Sequence, residues 1–111
     1  MNFLAEKKCE ACVVGAPVLT EQELEELLPQ ISQWKIVEQD GVKRLKREYK
    51  FKNFVEALAF ANKVGAIAEE ENHHPAITVE WGKTTVAWWT HKIKGLHRND
   101  VIMAAKTDGL I

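Results

Sequence analysis

Apolar positions change their spacing along the chain, and each change predicts a new element. After the capping-box pair Thr20 and Glu23, helical spacing predicts a short first helix that ends at Pro29. From Trp34 to Phe51 the apolar positions alternate with period two on both sides of Asp40-Gly41, a turn signal. This segment is predicted to form two antiparallel strands.

A longer helix is predicted in the middle of the chain. Asn53 and Glu56 form a second capping-box pattern at its start. The apolar residues that follow recur at helical spacing and predict the main core helix: Phe54, Ala57, Leu58, Ala61, Val64, Gly65 and Ala68.

A second β-hairpin is predicted around Gly82 and Lys83. Alternating apolar residues precede this pair, and a β-branched and aromatic run from Thr84 to Thr90 follows it. Glycine at the first central position fits a two-residue type II′ loop, which would set Trp81 opposite Thr84. In this register the core face is expected to contain Ile77, Val79, Trp81, Thr84, Val86 and Trp88.

The last helix is predicted from Arg98 to Lys106, closed near Gly109. The order is then α-β-β-α-β-β-α, which favours an α+β fold: a four-stranded antiparallel sheet with three helices packed on one face. Residues 18–111 are predicted to form this domain, and residues 1–17 a flexible N-terminal arm. The strand order does not follow from the pattern.

Composition and charge narrow the function. Hydrophobic residues make up 46% of the chain and charged residues 28%, as in ordinary globular domains. A net charge of −1 argues against nucleic acid or an anionic membrane as a partner. No apolar stretch approaches a signal peptide or a membrane span, so a cytoplasmic location is expected. The basic run from Lys43 to Arg47 is interpreted as the solvated face of a strand.

The two cysteines, Cys9 and Cys12, are spaced as CEAC within the predicted arm. A lone CxxC pair is a weak signal, because a zinc site would need two further ligands from elsewhere. We interpret the pair as two reduced thiols.

Three histidines are predicted to gather at the open end of the second hairpin. In the register above, Pro75 faces Thr90 and His74 faces His91, with Cβ atoms about 4.5 to 5.5 Å apart. His73 lies beside them in the connection from helix to strand. Because imidazole titrates near neutral pH, neighbouring histidines can act as one general base and one general acid.

The residues around these histidines resemble the signature of the pterin-4a-carbinolamine dehydratases. The resemblance rests on EEENHHP at residues 69–75, followed by Trp81-Gly82, Thr90-His91, Gly95-Leu96 and Asp100. It runs from about Val18 to the C-terminus. It implies dehydration of a 4a-hydroxytetrahydropterin to the quinonoid dihydropterin and water, as part of tetrahydropterin recycling for aromatic amino-acid hydroxylation. No metal or redox cofactor is implied.

The resemblance also implies roles for individual residues. His73 and His91 are the candidate acid and base, exchangeable according to which face of the ring bears the hydroxyl, while His74 binds and orients the pterin. Glu69 and Asp100 are supporting carboxylates on the substrate side. Asp100 has an equally good structural interpretation, because it falls in the first turn of the last helix, where the dipole favours an anion.

Other expectations concern the pocket and the partners. Many family members carry an aromatic residue soon after His-His-Pro, where this chain has Ala76 and Ile77, so one pocket wall is expected to differ. Trp89 is a candidate pocket wall, and His97 is interpreted as a weak helix cap. The resemblance also implies a homodimer or homotetramer, with phenylalanine hydroxylase as a metabolic partner.

Two alternatives remain open at this point. The histidines could bind a metal ion, with or without Cys9 and Cys12, because neutral imidazole is a common zinc ligand. The chain could instead be an interaction module, since some animal members of the resembled family bind a transcription factor through an exposed helix. The helix that begins near Asn53 could offer such a surface.

Overall fold

The computed structural model describes residues 19–93 and 95–111, and it confirms the predicted order of helices and strands. The predicted arm, with Cys9 and Cys12, lies outside the described residues. The helices are α1 (Glu21–Leu27), α2 (Phe54–Glu71) and α3 (Arg98–Asp108), and the strands are β1 (Lys35–Gln39), β2 (Val42–Lys50), β3 (Ala76–Glu80) and β4 (Lys83–Trp88). Short 3₁₀ turns span Leu28–Ile31 and His91–Ile93.

The four strands form one antiparallel sheet in the order β1-β2-β4-β3, and the helices cover one of its faces. Alternate residues of the central strands enter the core, among them Leu45 on β2 and Trp88 on β4, which lie opposite each other and are fully buried. The intervening residues face away from the helices, on what we call the open face. No helix in the described part of the chain is long and apolar enough to cross a membrane.

The local signals near the N-terminus are confirmed. Thr20 and Glu23 form a reciprocal capping box at the start of α1. Asp40 and Gly41 join β1 to β2 with positive φ values of 54° and 78°, as a two-residue hairpin turn requires.

The predicted register of the second hairpin was wrong. Glu80 pairs with Lys83 and Ile77 with Val86, so the central turn residues are Trp81 and Gly82. Gly82 has a φ of 74°, and its carbonyl oxygen accepts a 2.8 Å hydrogen bond from Phe51 N. This contact with the segment before α2 favours the observed turn.

The corrected register moves each partner by two positions, so inward and outward faces are preserved while individual pairs change. Trp81 lies in the turn and is 75% exposed, contrary to the prediction that it belongs to the core. His74 does not lie opposite His91. Continued beyond the strand ends, the observed register places His73 opposite Thr90.

Helix α2 begins as predicted but buries a narrower stripe. The side chain of Asn53 accepts a hydrogen bond from Glu56 N at 2.9 Å, whereas Glu56 itself accepts from Lys52 N, so the predicted box is only half formed. Phe54 and Leu58, predicted as core, are each 43% exposed. They lie about 60 to 100° around the helix from the centre of the buried stripe.

The exposed apolar residues at the start of α2 include Val55 as well as Phe54 and Leu58. We refer to these three residues as the α2 apolar surface. The core-facing residues of the helix are Ala57, Phe60, Ala61, Val64 and Ala68.

Candidate active site

The end of α2 places His73 against the core. Asn72 adopts the left-handed conformation with a φ of 52°, which reverses the chain immediately after the helix. His73 N then donates a 3.0 Å hydrogen bond back to Ala68 O. The His73 side chain is turned inward by this reversal, and the residue is only 8% exposed.

Two contacts orient the His73 imidazole. Its Nε2 donates a 2.7 Å hydrogen bond to Asp100 Oδ1, and its ring stacks on Trp88 with 5.7 Å between centroids. Because an ionised carboxylate only accepts hydrogen bonds, Nε2 carries the proton in neutral His73. The second nitrogen, Nδ1, has no hydrogen-bond partner among the described residues and is available to take up or release a proton.

Asp100 is fully buried in the first turn of α3, and its carboxylate accepts hydrogen bonds from three donors. Besides His73, its carboxylate accepts hydrogen bonds from Thr90 Oγ1 and from His97 N, each at 2.8 Å. The side chain of His97 accepts from Asn99 N at 3.1 Å, so His97 is the N-cap of α3 as predicted. The structural interpretation of Asp100 is thus confirmed, and the same carboxylate also orients His73.

His74 is held by a different carboxylate. Its Nε2 is hydrogen-bonded to Glu69 Oε2, which comes from the last turn of α2, and both side chains are exposed. Such an exposed pair contributes little to stability, so its main effect is to orient the imidazole. Glu71, in the same turn of α2, is paired with Lys106 of α3 at 3.4 Å.

His91 begins the 3₁₀ turn that follows β4, and its side chain is exposed. Its ring lies 4.4 Å from the ring of Trp89, with an interplanar angle of 33°. Trp89 is half-buried, and the Arg44 guanidinium lies 3.9 Å from the centroid of its ring. The candidate pocket wall Trp89 therefore contacts one of the predicted catalytic histidines.

The antiparallel pairing of β3 and β4 brings the three histidines to the same end of the sheet, although not into the predicted direct pair. His73 and His74 precede β3, and His91 follows β4. Among residues 19–93 and 95–111, no group of three or more His, Cys, Asp or Glu side chains is arranged to hold a metal ion. The arrangement suits proton transfer by separately oriented imidazoles.

Sequence reasoning assigned no role in this site to Thr90, Asn72 or Arg44. Asn72 could have been found as the residue that commonly ends a helix in the left-handed conformation. Thr90 would have followed from the correct hairpin register. For Arg44, alternation along a strand indicated only that it lies on the open face, and nothing indicated its contact with Trp89.

The chain is thus a small α+β protein that presents several histidines at one end of a four-stranded antiparallel sheet. A solved structure described as a transcriptional coactivator/pterin dehydratase from Brucella melitensis is similar, with a TM-score of 0.76 and 32% sequence identity. The match covers 85% of this chain and 98% of that chain.

A family model described as Pterin 4 alpha carbinolamine dehydratase matches residues 17–110. A protein of Syntrophotalea carbinolica, provisionally named a pterin-4-alpha-carbinolamine dehydratase, is 60% identical over 111 residues, covering 100% of this chain and 99% of that protein. A relative from Photobacterium profundum with the same name is 60% identical over 108 residues, covering 97% and 96%. The chain belongs to the pterin 4 alpha carbinolamine dehydratase family, and such dehydratases are hydro-lyases.

Proposed function

We propose that this protein converts a 4a-hydroxytetrahydropterin to the quinonoid dihydropterin and water. Family membership supports the reaction class, and the three oriented imidazoles supply the acid and base that it requires. The product is the form from which tetrahydropterin is regenerated after aromatic amino-acid hydroxylation. Phenylalanine hydroxylase would then be a metabolic partner, and no resident cofactor takes part.

The elimination needs two proton transfers. A base takes the proton from N5 of the pterin while an acid protonates the hydroxyl on C4a, which leaves as water as the C4a=N5 double bond forms. His73 acts through Nδ1, because its Nε2 proton is engaged by Asp100. His91 is the second proton-transfer group, and the two exchange roles according to the face that bears the hydroxyl.

The remaining site residues bind or orient. His74, held by Glu69, binds the pterin at the exposed rim of the site. Asp100 is enclosed by three hydrogen-bond donors, so we assign it to the orientation of His73 rather than to direct contact with substrate. The chain is proposed to work as a homodimer or homotetramer, for which the α2 apolar surface offers a contact region.

The observation that carries this proposal is the buried His73–Asp100 pair, which leaves one imidazole nitrogen available at the same end of the sheet as His74 and His91. The test follows the decay of enzymatically generated 4a-hydroxytetrahydropterin with and without the protein. The matched control is the folded double variant His73→Ala/His91→Ala. A decay rate for the wild type no faster than for this variant or for buffer would contradict the proposal.

A second candidate function is protein binding through α2. The observation in its favour is the α2 apolar surface, since exposed apolar residues grouped on one helix often mark a protein contact. The similar Brucella melitensis protein is also described as a transcriptional coactivator. If this function is the principal one, Leu58→Glu will abolish partner or self-association, and His73→Ala/His91→Ala will leave association unchanged.

A further inference from the structure

We propose that Arg44 and Trp89 are positioning residues that hold the imidazole of His91 in its working orientation through a guanidinium–indole–imidazole stack. The inference rests on the proposed proton-transfer role of His91. It adds Arg44 of β2 to the site and gives Trp89, which directly follows β4, a positioning role in place of the predicted role as a pocket wall.

The three histidines differ in what orients them. His73 is bonded to Asp100 and His74 to Glu69, so each of these rings has a carboxylate partner. His91 makes no hydrogen bond or ion pair with any residue in the described ranges, and its side chain is exposed. Its ring contact with Trp89, at 4.4 Å, is what limits its motion.

The indole of Trp89 is itself held in place by Arg44. Leu45 pairs with Trp88 across β2 and β4, so Arg44 and Trp89 lie opposite each other one position further along. Leu45 and Trp88 are buried on the helix side, which directs their neighbours to the open face. The Arg44 guanidinium then lies over the indole, with Cζ 3.9 Å from the ring centroid.

Among the described residues, Arg44 has no other interaction that would account for its position. Its Nε is buried without a hydrogen-bond partner, and it forms no ion pair within the described part of the chain. A fully solvated strand residue, as the basic run was interpreted, would keep Nε in contact with water. The contact with Trp89 therefore explains a conformation that hydrogen bonding does not.

The chemistry of the stack suits a positioning role. A planar guanidinium stacks on an indole face in a way that a lysine ammonium cannot reproduce, and the resulting cation–π attraction restricts the indole. The restricted indole then offers a fixed surface to the imidazole. An exposed histidine with free rotation would spend much of its time outside the narrow geometry that proton transfer requires.

The first test reads the orientation of His91 without using activity. Imidazole signals are recorded by NMR for the full chain, which has only four histidines, and the His91→Ala spectrum identifies the His91 set. Trp89→Ala is expected to shift these signals toward those of a freely exposed histidine, and Arg44→Met is expected to shift them part of the way. Trp89→Phe retains an aromatic ring, so its His91 signals should stay close to those of the wild type.

The second test separates kcat from KM. Trp89→Ala and Arg44→Met are expected to lower kcat by about 3- to 10-fold with little change in KM, because orientation rather than binding is lost. The double variant should be no slower than Trp89→Ala alone, since Arg44 acts through Trp89. Lys46→Met is the matched control: it removes an exposed positive charge two residues further along the open face of β2.

The two tests can contradict the proposal in separate ways. Unshifted His91 signals in folded Trp89→Ala, or an Arg44→Met effect of equal size with and without Trp89, would overturn the stack. If Trp89→Ala does not fold, Arg44→Met and Trp89→Phe carry the test, because neither empties the ring site. Wild-type turnover of His91→Ala would instead remove the proposed role of His91, while the NMR signals would still report whether the stack exists.

Discussion

The imidazole of His73 lies parallel to the indole of Trp88, with 4° between the ring planes. Trp88 is fully buried, and its Nε1 donates a 3.1 Å hydrogen bond to Thr107 Oγ1 in the last turn of α3. The first turn of the same helix provides Asp100, which accepts from His73 Nε2. Helix α3 therefore orients His73 twice, once through the core and once through a carboxylate.

The next prediction concerns His73 and His91, the two histidines proposed to transfer protons. His73→Ala and His91→Ala are each expected to lower kcat by about 10²-fold, the usual contribution of a positioned acid or base, without unfolding the domain. Turnover is measured on generated 4a-hydroxytetrahydropterin, and folding by circular dichroism. Wild-type rates in both variants, with pterin still bound, would contradict the acid–base assignment.

His74 and Glu69 should affect binding more than turnover. His74→Ala is expected to raise KM several-fold with a smaller change in kcat, because this exposed imidazole is assigned to the pterin rather than to proton transfer. Glu69→Gln should also raise KM, and the double variant His74→Ala/Glu69→Gln should resemble His74→Ala alone. The control is Glu70→Gln, the neighbouring exposed carboxylate of α2. A fall in kcat equal to that of His73→Ala would move His74 into the chemical step.

The corrected hairpin turn makes Gly82 a sensitive position. Its φ of 74° disfavours a side chain, and an added Cβ would lie 3.2 Å from Phe51 O. Gly82→Ala is expected to lower the free energy of unfolding by about 1 to 2 kcal/mol. Gly65→Ala, inside α2 with no atom within 4 Å of the added Cβ, should raise it by about 0.5 to 1 kcal/mol. Urea unfolding measures both, and equal effects would contradict the turn assignment.

The comparison of these turns shows which features a sequence can predict. The Thr20–Glu23 box and the Asp40-Gly41 turn were predictable because the interactions that form them lie within a few residues. The second hairpin could form either of two turns around Gly82. The observed turn is the one in which Gly82 O accepts a hydrogen bond from Phe51 N, far away in the sequence. Local pattern alone carries no information about such a contact.

The same limit applies to the site. The histidines and Asp100 were predictable as residue types in a family-like string, and their common end of the sheet followed from hairpin topology. The hydrogen bond between His73 and Asp100 joins residues 27 positions apart, and the stack of Arg44 on Trp89 joins β2 to the residue that follows β4, two segments that are distant in sequence. Both depend on tertiary packing.

Tyr49 should resist ionisation in the folded protein. Burial is the main cause and the hydrogen bond to Asp108 the second cause that raise the pKa of this phenol well above its ordinary value of 10.0. A group whose folded pKa is raised contributes stability that is complete below the unfolded pKa and is lost as pH rises above it. Because Tyr49 is the only tyrosine, ultraviolet absorbance of phenolate reports on it alone.

We therefore expect no phenolate absorbance from the native protein near pH 10, where the chain unfolded in guanidinium already ionises. Above that pH the free energy of unfolding should fall, with this group contributing up to about 1.4 kcal/mol per pH unit. Tyr49→Phe should lose that part of the slope. Native phenolate with an ordinary midpoint would show that the Tyr49 hydroxyl is accessible.

The most discriminating variant is Asp100→Asn. Three donors converge on this carboxylate: His73 Nε2, Thr90 Oγ1 and His97 N. An amide has one oxygen and one NH₂ group, so it cannot accept from all three. If the amide NH₂ takes the place of Oδ2, the Thr90 hydroxyl must turn away and His97 N loses its acceptor. If it takes the place of Oδ1, His73 must move its proton to Nδ1, the nitrogen assigned to the substrate.

Asp100→Asn is expected to lower kcat by about 10²-fold or more and to shift the His73 tautomer, observed by ¹⁵N NMR of the imidazole. Asp108→Asn is the matched control, because that carboxylate at the other end of α3 also accepts from three groups: Trp34 Nε1 at 3.0 Å, Arg47 Nη1 at 2.7 Å and the Tyr49 hydroxyl. Both variants should lose about 1 to 3 kcal/mol of stability, but only Asp100→Asn should lose activity per folded molecule. Equal losses of activity would mean that α3 acts through stability alone, and the orienting role of Asp100 would have to be abandoned.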